Sequence, residues 1–204
     1  ALAEICDFSG RLPGVAMAEE GYFTKPNAIM LEVLSEEGDI VTDKFLQLCR
    51  AAVLPIVDGL GTGLSFVRSD INGNLTRIET KYESDKAKYA KLLDIPRSEK
   101  SDGCAMDTSS TTNALMWLTR AHVFIIALLK KLAEDDSRSV GDAAGQAYNE
   151  SLSKYHGWVI RNAVRVALTL VPSRESFFAK LGGEQVKPEM MAFVTKAEAL
   201  FVKI

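Results

Sequence analysis

Residues 65–82 read Ser-Phe-Val-Arg-Ser-Asp-Ile-Asn-Gly-Asn-Leu-Thr-Arg-Ile-Glu-Thr-Lys-Tyr, and two periodicities run through them. Leu64, Val67, Ile71, Leu75, Ile78 and Tyr82 recur at intervals of three and four, the spacing of an amphipathic helix. Asp70, Asn74 and Arg77 keep the same rhythm, each one residue before a member of the apolar stripe, so they lie about 100° round the helix at the rim of its buried face. Such a trio suits local hydrogen bonding on a solvated flank. It also suits a pocket that reads a polar headgroup while hiding an apolar tail.

Outward from this helix the pattern stays helical. Asn27 to Ser35 predicts a short amphipathic helix. Thr42 is a plausible N-cap for a helix to Leu60 that buries Phe45, Leu48, Ala52 and Ile56 and is kinked by Pro55. A further short helix is expected over Asp85 to Leu93, then a loop from Pro96 to Thr108. The longest helix, capped by Asp107 or a nearby Ser/Thr, runs to about Glu134 with two apolar stripes, one through Leu115, Leu118, His122 and Ile125, the other through Ala114, Trp117, Ala121 and Phe124. It should be central. Helices over 139–154, 158–171, 173–181 and 188–202 follow, and residues 1–27 read as irregular, with at most a short helix at the start. No alternating strand or repeat stands out, so the class is all-α.

At 204 residues the chain suits one domain over 1–204. A net charge of −3 gives no electrostatic footprint for nucleic acid, and none is expected as a partner. Cys6, Cys49 and Cys104 are scattered, which predicts neither a disulfide framework nor a metal site and fits a reducing, cytoplasmic compartment. Residues 1–7 lack the basic and apolar regions of an export signal. The greasiest segment, Ala114 to Leu129, is interrupted by Arg120 and His122 and falls short of the roughly 18 to 20 residues that span a bilayer.

Catalysis finds little support. There is no G-x-S-x-G, P-loop or H-E-x-x-H, and pairing Asp70 with His156 as a hydrolytic dyad is a choice any Asp and His would allow. No cofactor is implied. Trp117 reads first as a core aromatic and otherwise as a flat platform for a sugar ring. His122 reads as a core histidine. His156, before Gly157 and Trp158 at a helix junction, is placed as well to donate to an amide carbonyl as to serve the fold. Trp158 is either core or an indole at a membrane interface, beside Lys154, Arg161, Arg165, Arg174 and Lys180, which read either as a basic face toward anionic lipid or as a solvated flank.

Taken together, Val67-Arg-Ser-Asp-Ile-Asn-Gly-Asn-Leu-Thr-Arg77, Asn113-Ala-Leu-Met-Trp-Leu-Thr-Arg120, Lys154-Tyr-His-Gly-Trp158 and Ala167-Leu-Thr-Leu-Val-Pro-Ser-Arg-Glu-Ser-Phe-Phe178 resemble, in this order, segments of the glycolipid transfer protein family. The resemblance covers residues 40 to 181. It implies a two-layer helical sandwich of about eight helices enclosing one lipid pocket, and a monomeric, non-enzymatic carrier of glycosphingolipid that touches membranes transiently. It also implies roles: Asp70 accepting from the ceramide amide and a sugar hydroxyl, Asn74 and Arg77 binding sugar hydroxyls, Trp117 stacking beneath the first sugar, His156 donating to the ceramide carbonyl. Leu64, Phe124, Leu128, Val159, Ala163 and Val166 are expected near the chains.

The ceramide-1-phosphate branch is similar but carries Lys at the Asn74 position and Arg at the Trp117 position, so a neutral cerebroside-type sugar is favoured here. Carriage of ceramide-1-phosphate and a sensor role through a protein partner are the alternatives. Arg77 stands where the family usually has Lys, Asn113 where animal members tend to have Leu and so adds a sugar contact, and the end after Leu181 looks shorter than in animal members, which bears on the C-terminal wall of the site.

Overall fold

The computed structural model describes residues 21–204; Cys6 and the short helix considered for the start of the chain lie outside them. The helices are α1 (Thr24–Glu32), α2 (Thr42–Leu48), α3 (Leu54–Gly59), α4 (Ser65–Ser84), α5 (Asp94–Ser101), α6 (Thr111–Glu134), α7 (Val140–Ser151), α8 (Trp158–Leu168), α9 (Arg174–Lys180) and α10 (Lys187–Phe201). Among the described residues β-type pairing is confined to the bridges Leu34–Ile40 and Val41–Lys91. The expected all-α class is observed.

The helix expected from Thr42 to Leu60 loses its regular α-helical pattern just before Pro55. A π-helical turn, Cys49–Val53, joins α2 to α3, because the proline at the start of α3 has no N–H to give the preceding turn. Thr42 is not the cap. Val41 holds that position, and Thr42 Oγ1 instead donates to the Tyr89 carbonyl. Helix α1 begins before Asn27 because Pro26 sits in its first turn, where a missing N–H costs nothing.

The helix expected over Asp85 to Leu93 does not form. Thr42 N–H donates to Ala90 O at 2.9 Å and Leu92 N–H to Ile40 O at 2.8 Å, so the segment pairs across the chain and buries Tyr89 and Leu92. Conversely α5 occupies part of the expected loop, with Pro96 tolerated in its first turn. Its Glu99 is buried and accepts from the backbone N–H groups of Thr111 and Thr112 at 2.9 and 2.7 Å, while Ser110 Oγ accepts from Asn113 N–H at 2.9 Å. The start of α6 is thus doubly capped.

Helix α6 is 24 residues long, longer than its greasy segment suggested, and by length and composition alone it would cross a membrane. Its surroundings make it a core helix instead. It packs against α4, α7 and α10, and its apolar circumference is shared between two groups of neighbours. On one side His122 meets Phe45 of α2 and Phe201 of α10; on the other Trp117, Ala121, Phe124 and Ile125 face α4, α7 and α8 across a cavity. The turn into α4 is made by Gly61 at φ 97°, and a Cβ on Gly63 would come within 3.2 Å of the Leu170 side chain, so glycine lets this turn tuck against the end of α8.

Candidate functional site

The apolar stripe of α4 is buried as its spacing predicts, with Leu64, Ile71, Leu75 and Ile78 in the core and Val67 and Tyr82 at its edge. That fixes the rotation of α4 and leaves the flank bearing Asp70, Asn74 and Arg77 at the margin. Two cavities meet there. One, of about 450 Å³, is walled by apolar side chains of α3, α4, α6, α7 and α8, including Leu60, Leu64, Phe124, Ile160 and Val164, and its polar lining is Asp70, Trp117, Tyr148 and His156. The other, shallow and about 530 Å³, is lined by Phe66, Ser69, Asp70, Gly73, Asn74 and Arg77. Asp70 and Phe66 belong to both, so they form the border between a greasy and a polar space.

Each predicted residue takes a distinct position. Asp70 is exposed, and Asn74, 93% removed from solvent, donates its side-chain N–H to Asp70 Oδ2 at 3.2 Å. Arg77 donates to the carbonyls of Thr108 and Ser110 at 3.3 and 3.2 Å, which anchors the polar cavity to the start of α6. Trp117 stacks on His156 with ring centroids 5.6 Å apart. His156 is brought to Asp70 and Trp117 by the junction between α7 and α8, and burial holds its imidazole below the ordinary histidine value, opposed by Asp70 and reinforced by Arg120. The ring is therefore neutral at pH 7. Asn113 is half-buried in the first turn of α6 and lines neither cavity.

Trp158 is 73% exposed. Lys154, Arg161 and Arg165 are exposed nearby, but Arg174 is withdrawn from that face. It lies over the Phe178 ring, donates to the carbonyls of Leu132, Asp135 and Arg138, and pairs with Glu184. Lys180 reaches the Gly59 carbonyl.

The expected chain-lining residues hold only in part. Leu64 and Phe124 line the greasy cavity, but Leu128 is solid core and Val159, Ala163 and Val166 face solvent. Ile160, Val164 and Leu168 take their place. Helix α8 is apolar on two adjacent faces, so periodicity alone does not choose which one turns inward. Among the described residues that line this cavity, none comes from α10.

Three contributors were missed. Tyr148 Oη lies 2.9 Å from His156 Nδ1. Arg120 is sandwiched between Trp117 and Tyr155, 4.8 and 3.6 Å from their ring centres. Phe66 stands one turn before Asp70 on the same face, a spacing that was legible. Tyr148 stands eight residues before His156 across the α7–α8 junction, whose turn the spacing does not fix, and Arg120, one turn after Trp117, takes its other contact from Tyr155, which is remote in sequence. Among the described residues no cluster of His, Cys, Asp and Glu is disposed to hold a metal ion.

Residues 40–183 match the family model for glycolipid transfer protein (GLTP). The chain is 36% identical to glycolipid transfer protein 1 of Arabidopsis thaliana over 165 residues, 80% of this chain and 81% of the relative. It superposes with a TM-score of 0.81 and 30% identity on a structure of FAPP2, described as selecting simple glycosphingolipids using the GLTP-fold, covering 90% of this chain and 92% of that one. At 19% identity, a variant of Arabidopsis accelerated-cell-death 11 complexed with a ceramide-1-phosphate shares the fold, with a TM-score of 0.82 over 90% of this chain and 92% of that chain. The buried α4 stripe, the central α6 and the border of Asp70, Trp117 and His156 thus sit in a chain that belongs to the glycolipid transfer protein family.

Proposed function

We propose that this protein binds one neutral, cerebroside-type glycosphingolipid and carries it between membranes without chemical change. The observation that supports this most directly is the shared border: an apolar cavity opens past Asp70 beside Trp117 and His156 onto a polar one. A ceramide has the same division. Its chains go into the greasy cavity, where each CH₂ removed from water gains roughly 0.8 kcal/mol. Its amide lies at the border, where the Asp70 carboxylate accepts from the N–H and the neutral His156 donates to the carbonyl; an amide group left unpaired there would cost on the order of 1 to 3 kcal/mol.

The sugar then rests on Trp117, within reach of Asp70, Asn74 and Arg77, with Asn113 at the edge of α6. Neutral sugar is favoured over phosphate because the cations here are already engaged. Arg77 holds two backbone carbonyls and Arg120 is stacked between two rings, while Asn74 and Trp117 offer an amide and a flat apolar face. The exposed Trp158, with Arg161 and Arg165, makes a reversible membrane contact that brings the cavity to the lipid. No step calls for a nucleophile or cofactor, and one chain suffices.

The test is transfer of fluorescent glucosylceramide and galactosylceramide between vesicles, beside ceramide-1-phosphate. Cerebroside transfer that falls about tenfold or more in Asp70→Val and in Trp117→Ala is expected. Transfer of the phosphate lipid instead overturns the headgroup assignment. Binding without release would make the protein a glycolipid sensor rather than a carrier.

A further inference from the structure

Tyr148 comes from α7 and is 94% removed from solvent, with its hydroxyl 2.9 Å from Nδ1 of His156 and the two rings 5.7 Å apart. A phenol carries one donor and accepts through its lone pairs, and when buried the unmade donor is the costlier omission. Among the described residues His156 Nδ1 is the hydrogen-bond partner of that hydroxyl. The phenolic proton therefore points at Nδ1, and Nδ1 offers its lone pair. A neutral imidazole has a single N–H, so it is on Nε2.

We infer that Tyr148 is a positioning residue that locks His156 in the Nε2–H tautomer, so that the nitrogen left free for a ligand is always a donor. The surroundings keep both groups in the required state. Burial holds His156 neutral, and burial raises Tyr148 above the ordinary phenol value despite Arg161, so the hydroxyl keeps its proton.

The chain's other histidine supplies the opposite case. His122 Nδ1 is 2.7 Å from the Leu118 carbonyl, which can only accept, so there Nδ1 carries the proton, and the buried Nε2 has no partner among the described residues. The two histidines of this sequence hold opposite tautomers, one imposed by a carbonyl and one by a phenol.

Resting on the glycolipid function proposed above, a fixed donor has a selective consequence. It suits an acyl amide carbonyl and opposes a ligand that brings a proton or a cation to the same point. An N-acylated glycosphingolipid presents the carbonyl; its lyso counterpart presents an ammonium group.

The experiment is a multiple-bond ¹⁵N–¹H correlation of the imidazole rings in ¹⁵N-labelled, lipid-free protein near pH 7.5, together with affinities for glucosylceramide and its lyso form. The expected spectrum gives His156 a pyridine-type Nδ1 and a pyrrole-type Nε2, with His122 reversed as an internal reference. In Tyr148→Phe the ring packing is kept, the His122 signals stay in place and report an intact core, the His156 signals move toward a tautomer mixture, and affinity for glucosylceramide falls about fivefold. The preference over the lyso form shrinks with it. A pyrrole-type Nδ1 on His156 in the unaltered protein, or an unchanged His156 spectrum in Tyr148→Phe, overturns the assignment; a shifted tautomer with unchanged affinity overturns its role in binding. The tautomer is read without lipid, so an unaltered protein that binds no glycosphingolipid would sink the proposed function and leave the His156 assignment separately decided.

Discussion

The indole of Trp117 and the imidazole of His156 lie 14° from parallel with centroids 5.6 Å apart, so a residue of α6 and a residue of the α7–α8 junction form one aromatic stack. Neither ring is placed by its own helix alone. In the proposed site one supports the sugar and the other meets the ceramide amide, and the stack sets the distance between the two tasks.

Trp117→Phe keeps a flat ring with less area and is expected to lower glucosylceramide affinity about threefold, against about tenfold or more for Trp117→Ala. Titration of lipid into Trp158→Phe, where Trp117 is the remaining indole, checks this directly: its emission should change on binding because the sugar meets that ring. An emission that does not move while lipid binds would place the headgroup elsewhere.

Trp158, exposed at the first position of α8, is expected to act on the membrane step alone. Trp158→Ala should slow vesicle-to-vesicle transfer about fivefold while affinity for a short-chain, water-soluble glycolipid stays the same. Raising salt should weaken binding to anionic vesicles through Arg161 and Arg165. Equal losses in both assays would show instead that Trp158 shapes the ligand cavity.

His122 should make the fold acid-sensitive. Burial pushes its imidazole down to about 4, from an ordinary value of 6.5, with the Leu118 carbonyl only partly offsetting. Between those values the unfolded chain binds a proton that the folded one refuses, so this contribution to stability is complete above about pH 6.5 and is lost as pH falls toward 4, amounting to about 3 kcal/mol. Urea unfolding at several pH values should show that slope, and His122→Leu should flatten it. A variant with the unaltered slope would assign the acid sensitivity to other groups.

Arg174 ties the end of α6 to α9. Its guanidinium, 14% exposed, satisfies three backbone carbonyls at 2.8, 3.1 and 3.2 Å and pairs with Glu184 at 3.0 Å. Removing it leaves orphan carbonyls at a helix C-terminus, so Arg174→Met should cost about 2 to 4 kcal/mol, read as a lower urea midpoint at unchanged slope. Membrane binding should hardly change, because this cation does not belong to the exposed basic face.

Much of this molecule was legible in one dimension. The three-and-four spacing from Leu64 to Tyr82 fixed both the helix and the rotation that leaves Asp70 at a border, since an apolar stripe has only one way to be buried. Pro55 announced a break in the regular helix, Ser139 and Ser173 cap helices close to the expected starts, and Phe45, Leu48, Ala52 and Ile56 share the predicted buried face. The segment 85–93 failed because a short amphipathic run is also content to pair its backbone with Ile40 and Thr42.

What the sequence by itself determined is therefore local: an all-α chain, the positions of its longer helices, the family, and which polar residues edge an apolar face. Period and capping depend on neighbours three or four residues away, and those are written in order. The tertiary structure alone decided which of two apolar faces of α8 lines the cavity, that Arg174 serves the core rather than the surface, that α10 leaves the cavity to other helices, and that Tyr148 holds His156. Each depends on a contact across a turn or between helices, where tertiary packing and the pairing of buried polar groups choose among arrangements that local periodicity leaves equal.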